Sequence, residues 1–337
     1  VASRLRTWSA FGDIKRRPSE YEIVTHAMHY SMRKGRDAPY EASPAAPMNL
    51  WMSTYRDDSP VTADDWEGFR DPDQYTYREY CARQDEKEVV VRELCSEFHD
   101  RGHDKTLNPA WVNTLRQVFT PARYPLHGMQ LMAAYVGQVA PSSYITNAAC
   151  FEAADYVRAV CVIAYRTREL QIAHPKAGFV DGERETWQSE KLWQPVRKCI
   201  EEALVAYDWS ESFSALNLVL RPTLETVFYK TFSEVASQNE DELTSLLLAN
   251  LSDDQERSAR WSSALCRYAI DKNAKNADAF QMWVNKWTPA ADAAAKSIAE
   301  MLATHPEVKA DAKKAVSAAK AARTKMLESS GLAGAKK

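Results

Sequence analysis

Seven histidines come first, because imidazole beside carboxylate makes most protein metal centres and much general acid–base chemistry. In a helical chain the sharpest test is Glu-x-x-His. That spacing sends both ligands off one helix face. Carboxylate-bridged di-iron centres use it twice, adding one glutamate from each of two other helices. The residues three before the histidines are Ile23 (His26), His26 (His29), Ser96 (His99), Asp100 (His103), Tyr124 (His127), Gln171 (His174) and Leu302 (His305). No Glu-x-x-His occurs, so this chain lacks the di-iron ligand pattern.

Two histidine pairs come near to other metal spacings. His99 and His103 stand four apart beside Asp100 and Asp104, a set that could ligate zinc. Gly102 between them reads as a helix end, where such residues more often cap or face solvent. His26 and His29 lie among aromatic residues and read as packing and hydrogen-bonding groups. Glu152-x-x-Asp155 has the spacing of a ligand pair but no histidine. With Arg158 it reads as a buried charge cluster, and Asp155 and Arg158, three apart, are expected to pair along the helix. No GxGxxG, P-loop or GxSxG is present. Six cysteines at 81, 95, 150, 161, 199 and 266 form no CxxC, and scattered reduced thiols fit a cytoplasmic protein.

The elements that carry these residues are expected to be helices. Glycine is scarce, apolar residues make up 45 % of the chain, and no alternating strand-like runs appear. Val91, Leu94, Cys95 and Phe98 share a helical face, as do Trp261, Ala264, Leu265, Tyr268 and Ala269. Ser252 with Gln255 looks like a capping box opening the second of these helices. Residues 142–170 predict a central helix, apolar on most sides, whose Glu152, Asp155 and Arg158 must be paired to be tolerated. Pro121, Pro125, Pro141, Pro195, Pro222 and Pro289 read as punctuation between helices or at their starts.

Three segments follow. Residues 1–72 form an extended arm broken by Pro18, Pro39, Pro44, Pro47, Pro60 and Pro72 yet rich in large rings. Trp8, Tyr21, Tyr30, Trp51, Tyr55 and Trp66 are candidate anchors on a neighbouring subunit, although the same rings could equally pack on their own domain. Residues 73–305 form the helical body. Residues 306–337 read as an exposed Ala/Lys-rich helix and a flexible tail. A net charge of −3 without a basic stripe argues against nucleic acid, and no apolar run reaches the ~20 residues of a membrane helix.

Several ordered motifs resemble one family. Arg6-Thr-Trp-Ser9, Pro18-Ser-Glu-Tyr-Glu-Ile-Val24, His29-Tyr-Ser31, Ser43-Pro44, Pro47-Met-Asn-Leu-Trp51 and Asp71-Pro-Asp-Gln74 are similar to the opening of toluene monooxygenase hydroxylase β subunits. Ala164-Tyr-Arg-Thr167, Glu169-Leu170, Asp208-Trp209, Ser214-Ala-Leu-Asn-Leu-Val219 and Arg260-Trp-Ser262 continue the resemblance to about Ala303. The Ala/Lys tail departs from it. The resemblance implies an all-α, ferritin-like helical bundle. It implies a structural β subunit without catalytic or cofactor-binding residues, placed in an α2β2γ2 hydroxylase whose di-iron centre lies in α. An NADH-dependent reductase, a Rieske ferredoxin and an effector protein would complete a system that inserts one O2 oxygen atom into an aromatic or alkene hydrocarbon. The residues alone leave two other readings open, a self-sufficient helical metalloprotein with atypical ligands and a helical adaptor. They do not name the hydrocarbon.

Overall fold

The computed structural model describes residues 11, 16–26 and 45–332, and among these every regular element is helical. Trp8 and Tyr30 of the arm, His29, and the last five residues lie outside the described residues.

Among the described residues two short helices come first, α1 (Glu20–Thr25) and α2 (Pro47–Met52). The body begins with α3 (Tyr77–Asp100), which Thr76 and Glu79 start with a reciprocal capping box and Gly102 ends in the left-handed region at φ 66°. Then come α4 (Pro109–Thr114), α5 (Arg123–Val139), α6 (Ser143–Ala173), α7 (Glu183–Ser189) and α8 (Gln194–Ala203). Ser142 caps α6 by accepting from the Tyr144 N–H, close to the start expected.

Residues 209–238 form one helical stretch made of α9 (Trp209–Phe213), α10 (Arg221–Glu225) and α11 (Phe232–Gln238). Two wider π segments, Ser214–Leu220 and Thr226–Thr231, join them. The chain closes with α12 (Glu242–Lys272), α13 (Asn276–Leu302) and α14 (Ala312–Ser329).

Three expectations are corrected here. Ser252 and Gln255 do not open a helix, because α12 is capped eleven residues earlier at Asp241, whose carboxylate accepts from the Thr244 N–H at 3.0 Å. Leu243, Leu247, Leu248 and Leu251 carry the buried face straight through the polar turn that resembled a cap. Pro222 stands in the first turn of α10 as expected, but Pro289 marks no helix start. Pro289 lies inside α13, and Pro222 follows a π segment, where the backbone hydrogen-bond register has already shifted. The C-terminal helix is not exposed all round. Ala315, Ala319, Arg323, Met326 and Leu327 form a buried stripe, because small alanines let α14 approach α10 and α13 closely.

One hydrophobic core unites the three segments. It includes Tyr21, Val61 and Phe69 from the arm region, Trp111, Trp193, Trp209 and Trp261 from the body, and Ala319, Met326 and Leu327 from α14. Within it α5 and α6 pack closely as a hairpin, and at Gly137 a Cβ would stand 3.3 Å from the Cys150 sulfur. Around this core α3, α6, the 209–238 stretch and α12 converge on a buried polar centre.

Candidate functional site

Four elements send polar side chains into the bundle. α6 supplies Glu152, Asp155, Tyr156 and Arg158, and α12 supplies Asp254 and Arg257. Gln84 comes from α3 and Arg221 and Glu225 from α10. All but Gln84 are less than a tenth exposed. Such a group is tolerated only if charge and hydrogen bonding compensate each member.

The compensation runs between helices. Asp155 accepts from the Tyr80 hydroxyl at 2.8 Å and from the Gln84 amide at 3.1 Å, and it forms an ion pair with Arg257. Asp254 accepts from Gln84 at 3.0 Å, Lys87 at 2.6 Å and Arg158 at 2.9 Å. Arg158 also reaches Glu88 at 2.6 Å. Glu152 lies 3.5 Å from Arg221. With its amide nitrogen turned toward Glu152, Asn217 donates to both carboxylate oxygens at 2.9 and 3.0 Å. Glu225 accepts from the Tyr156 hydroxyl at 2.6 Å. The expected Asp155–Arg158 pair along α6 is therefore not formed, because each residue finds a better-placed partner across the bundle, Asp155 on α12 and Arg158 on α3 and α12.

Burial dominates the protonation of these carboxyls. It pushes Glu225 up to about 8 and Glu152 to about 7, with Arg221 opposing in both cases. Burial also raises Asp155 to about 6 against the pull of Arg257. A cavity of about 20 Å³, lined by Glu152, Tyr156, Glu225, Tyr229, Gln255 and Ser258, lies between these groups and holds about one water-sized sphere.

A second buried cluster closes the far end of α6. The Arg166 guanidinium is fully buried and grips Asp104 through two bonds of 2.6 Å. It also lies 3.5 Å from Asp241 and 3.6 Å from Glu169. Asp241 accepts from the Trp111 indole at 2.9 Å and stands 3.3 Å from the His103 ring. Burial would raise Asp241, but His103, Arg166 and Trp111 outweigh it and hold the carboxyl at about 2. Asp104 is thus committed to Arg166, and the His103 ring to Asp241. His99 faces an open groove of about 920 Å³ between α3 and α6, lined also by Val91, Cys95, Cys161, Tyr165 and Ile172.

Of the proposed anchors, Tyr21 is 3 % exposed and packs 5.5 Å from the Tyr144 ring of its own chain. Trp51 donates to the Tyr135 hydroxyl at 3.0 Å and packs with Tyr55 and Tyr207. Trp66 meets Trp209 edge-on at 5.2 Å. Trp51, Tyr55 and Trp66 stay half-buried. His26 stacks on Phe11 at 4.5 Å and lies 3.3 Å from the Tyr144 hydroxyl.

Sequence reasoning missed Gln84, Arg221, Glu225, Asp254 and Arg257. For the last two a signal existed. Asp254, Arg257, Ser258 and Trp261 follow the i, i+3, i+4, i+7 rule, but the false cap at Ser252 placed them in a solvated first turn.

The model of the methane/phenol/alkene hydroxylase family matches residues 51–273, a span that contains α3, α6, the 209–238 stretch and α12. The chain is 41 % identical over 300 residues to the hydroxylase component subunit beta of the toluene-4-monooxygenase system of Ectopseudomonas mendocina, covering 89 % of this chain and 91 % of that one. The chain belongs to the methane/phenol/alkene hydroxylase family. It is a β, or small, subunit of a bacterial multicomponent monooxygenase hydroxylase, and so a component of an oxidoreductase. A toluene 4-monooxygenase structure with toluene bound aligns at a TM-score of 0.84 and 40 % identity, over 89 % of this chain and 98 % of that one. The propane 2-monooxygenase hydroxylase small subunit of Mycolicibacterium smegmatis is 25 % identical over 97 % of this chain and 89 % of its own length. The fold of this hydroxylase β subunit is the ferritin-like one of that family.

That family implies a di-iron centre, and the chemistry of the β subunit's own buried residues decides whether they could hold one. The buried centre contains no histidine, and Asp155 and Asp254 are committed to Arg257, Arg158 and Lys87. Among the described residues no group of three or more His, Cys, Asp or Glu is placed to hold a metal ion. The residues present do not fit the group, and no chemistry is routed through iron in this chain. No described helix is long and apolar enough to cross a membrane.

Proposed function

We propose that this β subunit is the non-catalytic brace of an α2β2γ2 hydroxylase. Its α companion would hold the di-iron centre and insert one O2 oxygen atom into an aromatic or alkene hydrocarbon. The observation that carries this reading is the 41 % identity to a toluene-4-monooxygenase hydroxylase β subunit across 89 % of the chain. The interlocked ion pairs of the bundle centre support it, because they make a stiff scaffold rather than a reactive one. The system's electrons would come from NADH through a reductase and a Rieske ferredoxin, with an effector protein regulating the hydroxylase. The half-buried rings of Trp51, Tyr55 and Trp66, with Trp8 and Tyr30, are proposed to meet companion subunits, whereas Tyr21 has its ring committed to Tyr144. The cytoplasm is the proposed compartment, a reading supported by six free cysteines.

Co-expression with α and γ tests the reading. Iron should partition with α, and hydrocarbon oxidation should require the complete complex. Removing residues 1–50 of β should prevent α–β assembly. Stoichiometric iron in the isolated β chain, or full activity of an α–γ complex lacking β, would count against it.

A further inference from the structure

The buried centre has an arithmetic of its own. One polar residue comes from α3 (Gln84) and one from α10 (Glu225). An i, i+3 pair comes from α6 (Glu152 and Asp155) and another from α12 (Asp254 and Arg257). One residue from each of two helices and an i, i+3 pair from each of two others is the helix-by-helix pattern by which such bundles hold two metal ions. The slots also meet in space. Gln84 bridges Asp155 and Asp254 at 3.1 and 3.0 Å, joining three of the four elements, and Arg257 pairs with Asp155 between the two i, i+3 pairs.

The substituents in those slots are what differ. An amide stands for one glutamate, an aspartate for one histidine, and an arginine for the other. Guanidinium keeps its charge at any accessible pH. Arg257 is 5 % exposed, and its Nε and Nη1 atoms have no hydrogen-bond partner. The Arg221 Nε, equally buried, has only the 3.5 Å ion pair with Glu152. Arg257 therefore sits in the centre as a charge more than as a hydrogen-bond donor, whereas Arg221 also donates to the Gln255 and Asn217 carbonyls at 3.2 Å.

We propose that this centre is a metal-ligand frame converted into a salt-bridge frame. In it Arg257, a covalently attached cation standing in one of the ligand slots, supplies positive charge that a bound divalent ion would supply and excludes iron from the subunit. The inference concerns only this chain's core, so it stands or falls independently of the assembly proposed above.

Cobalt(II) is the probe, used on the full-length chain. The wild type should release cobalt(II) on desalting, with its melting temperature unmoved by cobalt(II) or by a chelator. The ligand-restoring variant Gln84→Glu/Asp155→His/Asp254→Glu/Arg257→His should retain about two cobalt ions per chain and develop their visible absorption. A wild-type chain that keeps stoichiometric cobalt(II), or a folded variant that takes up no more than wild type, overturns the proposal. A smaller pair decides the matter should the quadruple variant fail to fold. Arg257→Gln should be stabilised, or refolded, by added cobalt(II), whereas Arg257→Gln/Asp155→Asn should not respond. Equal responses of the two overturn the proposal.

Discussion

Replacing Arg166 by methionine should be among the most damaging single changes in this β subunit. The guanidinium is fully buried, makes two 2.6 Å bonds to Asp104, and lies 3.5 Å from Asp241, a carboxylate that is itself fully buried. Methionine fills the space but leaves Asp241 with only hydrogen bonds from Trp111, His103 and the Thr244 N–H. Removing one partner of a buried pair costs about 3–5 kcal/mol. At about 2 °C per kcal/mol for a large chain, the melting temperature should drop by about 6–10 °C.

The pH dependence carries a sign. Asp241 is held at about 2, below its unfolded value of 3.8. Its favourable contribution is therefore present above that unfolded value and lost as pH falls through about 2. Without Arg166 the carboxyl rises toward its ordinary range, so the cost of the substitution should shrink as pH falls toward ~4. Chemical denaturation of wild type, Arg166→Met and Arg166→Met/Asp241→Asn at pH 7 and pH 4 measures this. Asparagine can still cap α12, so the double variant should recover a large part of the loss. A cost below ~1 kcal/mol, the value of an exposed pair, or a double variant no better than the single, would refute the reasoning.

Other outcomes are expected from the same structure. Glu225, Glu152 and Asp155 are raised to about 8, 7 and 6, so the folded state binds protons more tightly than the unfolded one; stability should fall as pH rises from about 4.5 to about 8, and Glu225→Gln should flatten that slope. Tyr156→Phe removes the 2.6 Å bond to Glu225 and should cost about 1–3 kcal/mol by denaturant titration in the wild type, and less in the Glu225→Gln background. At Gly128, where α5 crosses α8, a Cβ would stand 2.3 Å from the Ile200 Cγ2; Gly128→Ala should cost about 1–3 kcal/mol, and Ile200→Ala in the same chain should relieve the clash, seen as a partial return of the melting temperature.

The all-α class and the long central helix from about Ser142 were legible in the sequence, because apolar periodicity is a local property that neighbouring residues display. The missing Glu-x-x-His pairs were equally plain, since that motif lies within four residues. So was the burial demand on Glu152, Asp155 and Arg158, carried by an apolar helix. What the chain could not display by itself was who answers that demand. Asp155 pairs with a residue 102 positions away and Arg158 with one 96 away, in preference to each other three apart. Ser252 mimicked a helix start because a polar turn looks the same at an N-terminus and in the middle of a long helix; only Asp241, buried under Trp111, shows where α12 begins. The alanine stripe of α14 likewise looked solvated until α10 and α13 covered it. Local pattern decides which residues must be buried or capped. Partner choice among buried charges is settled by distances across the bundle, because in a low dielectric a few tenths of an ångström and one extra hydrogen bond outweigh proximity along the chain.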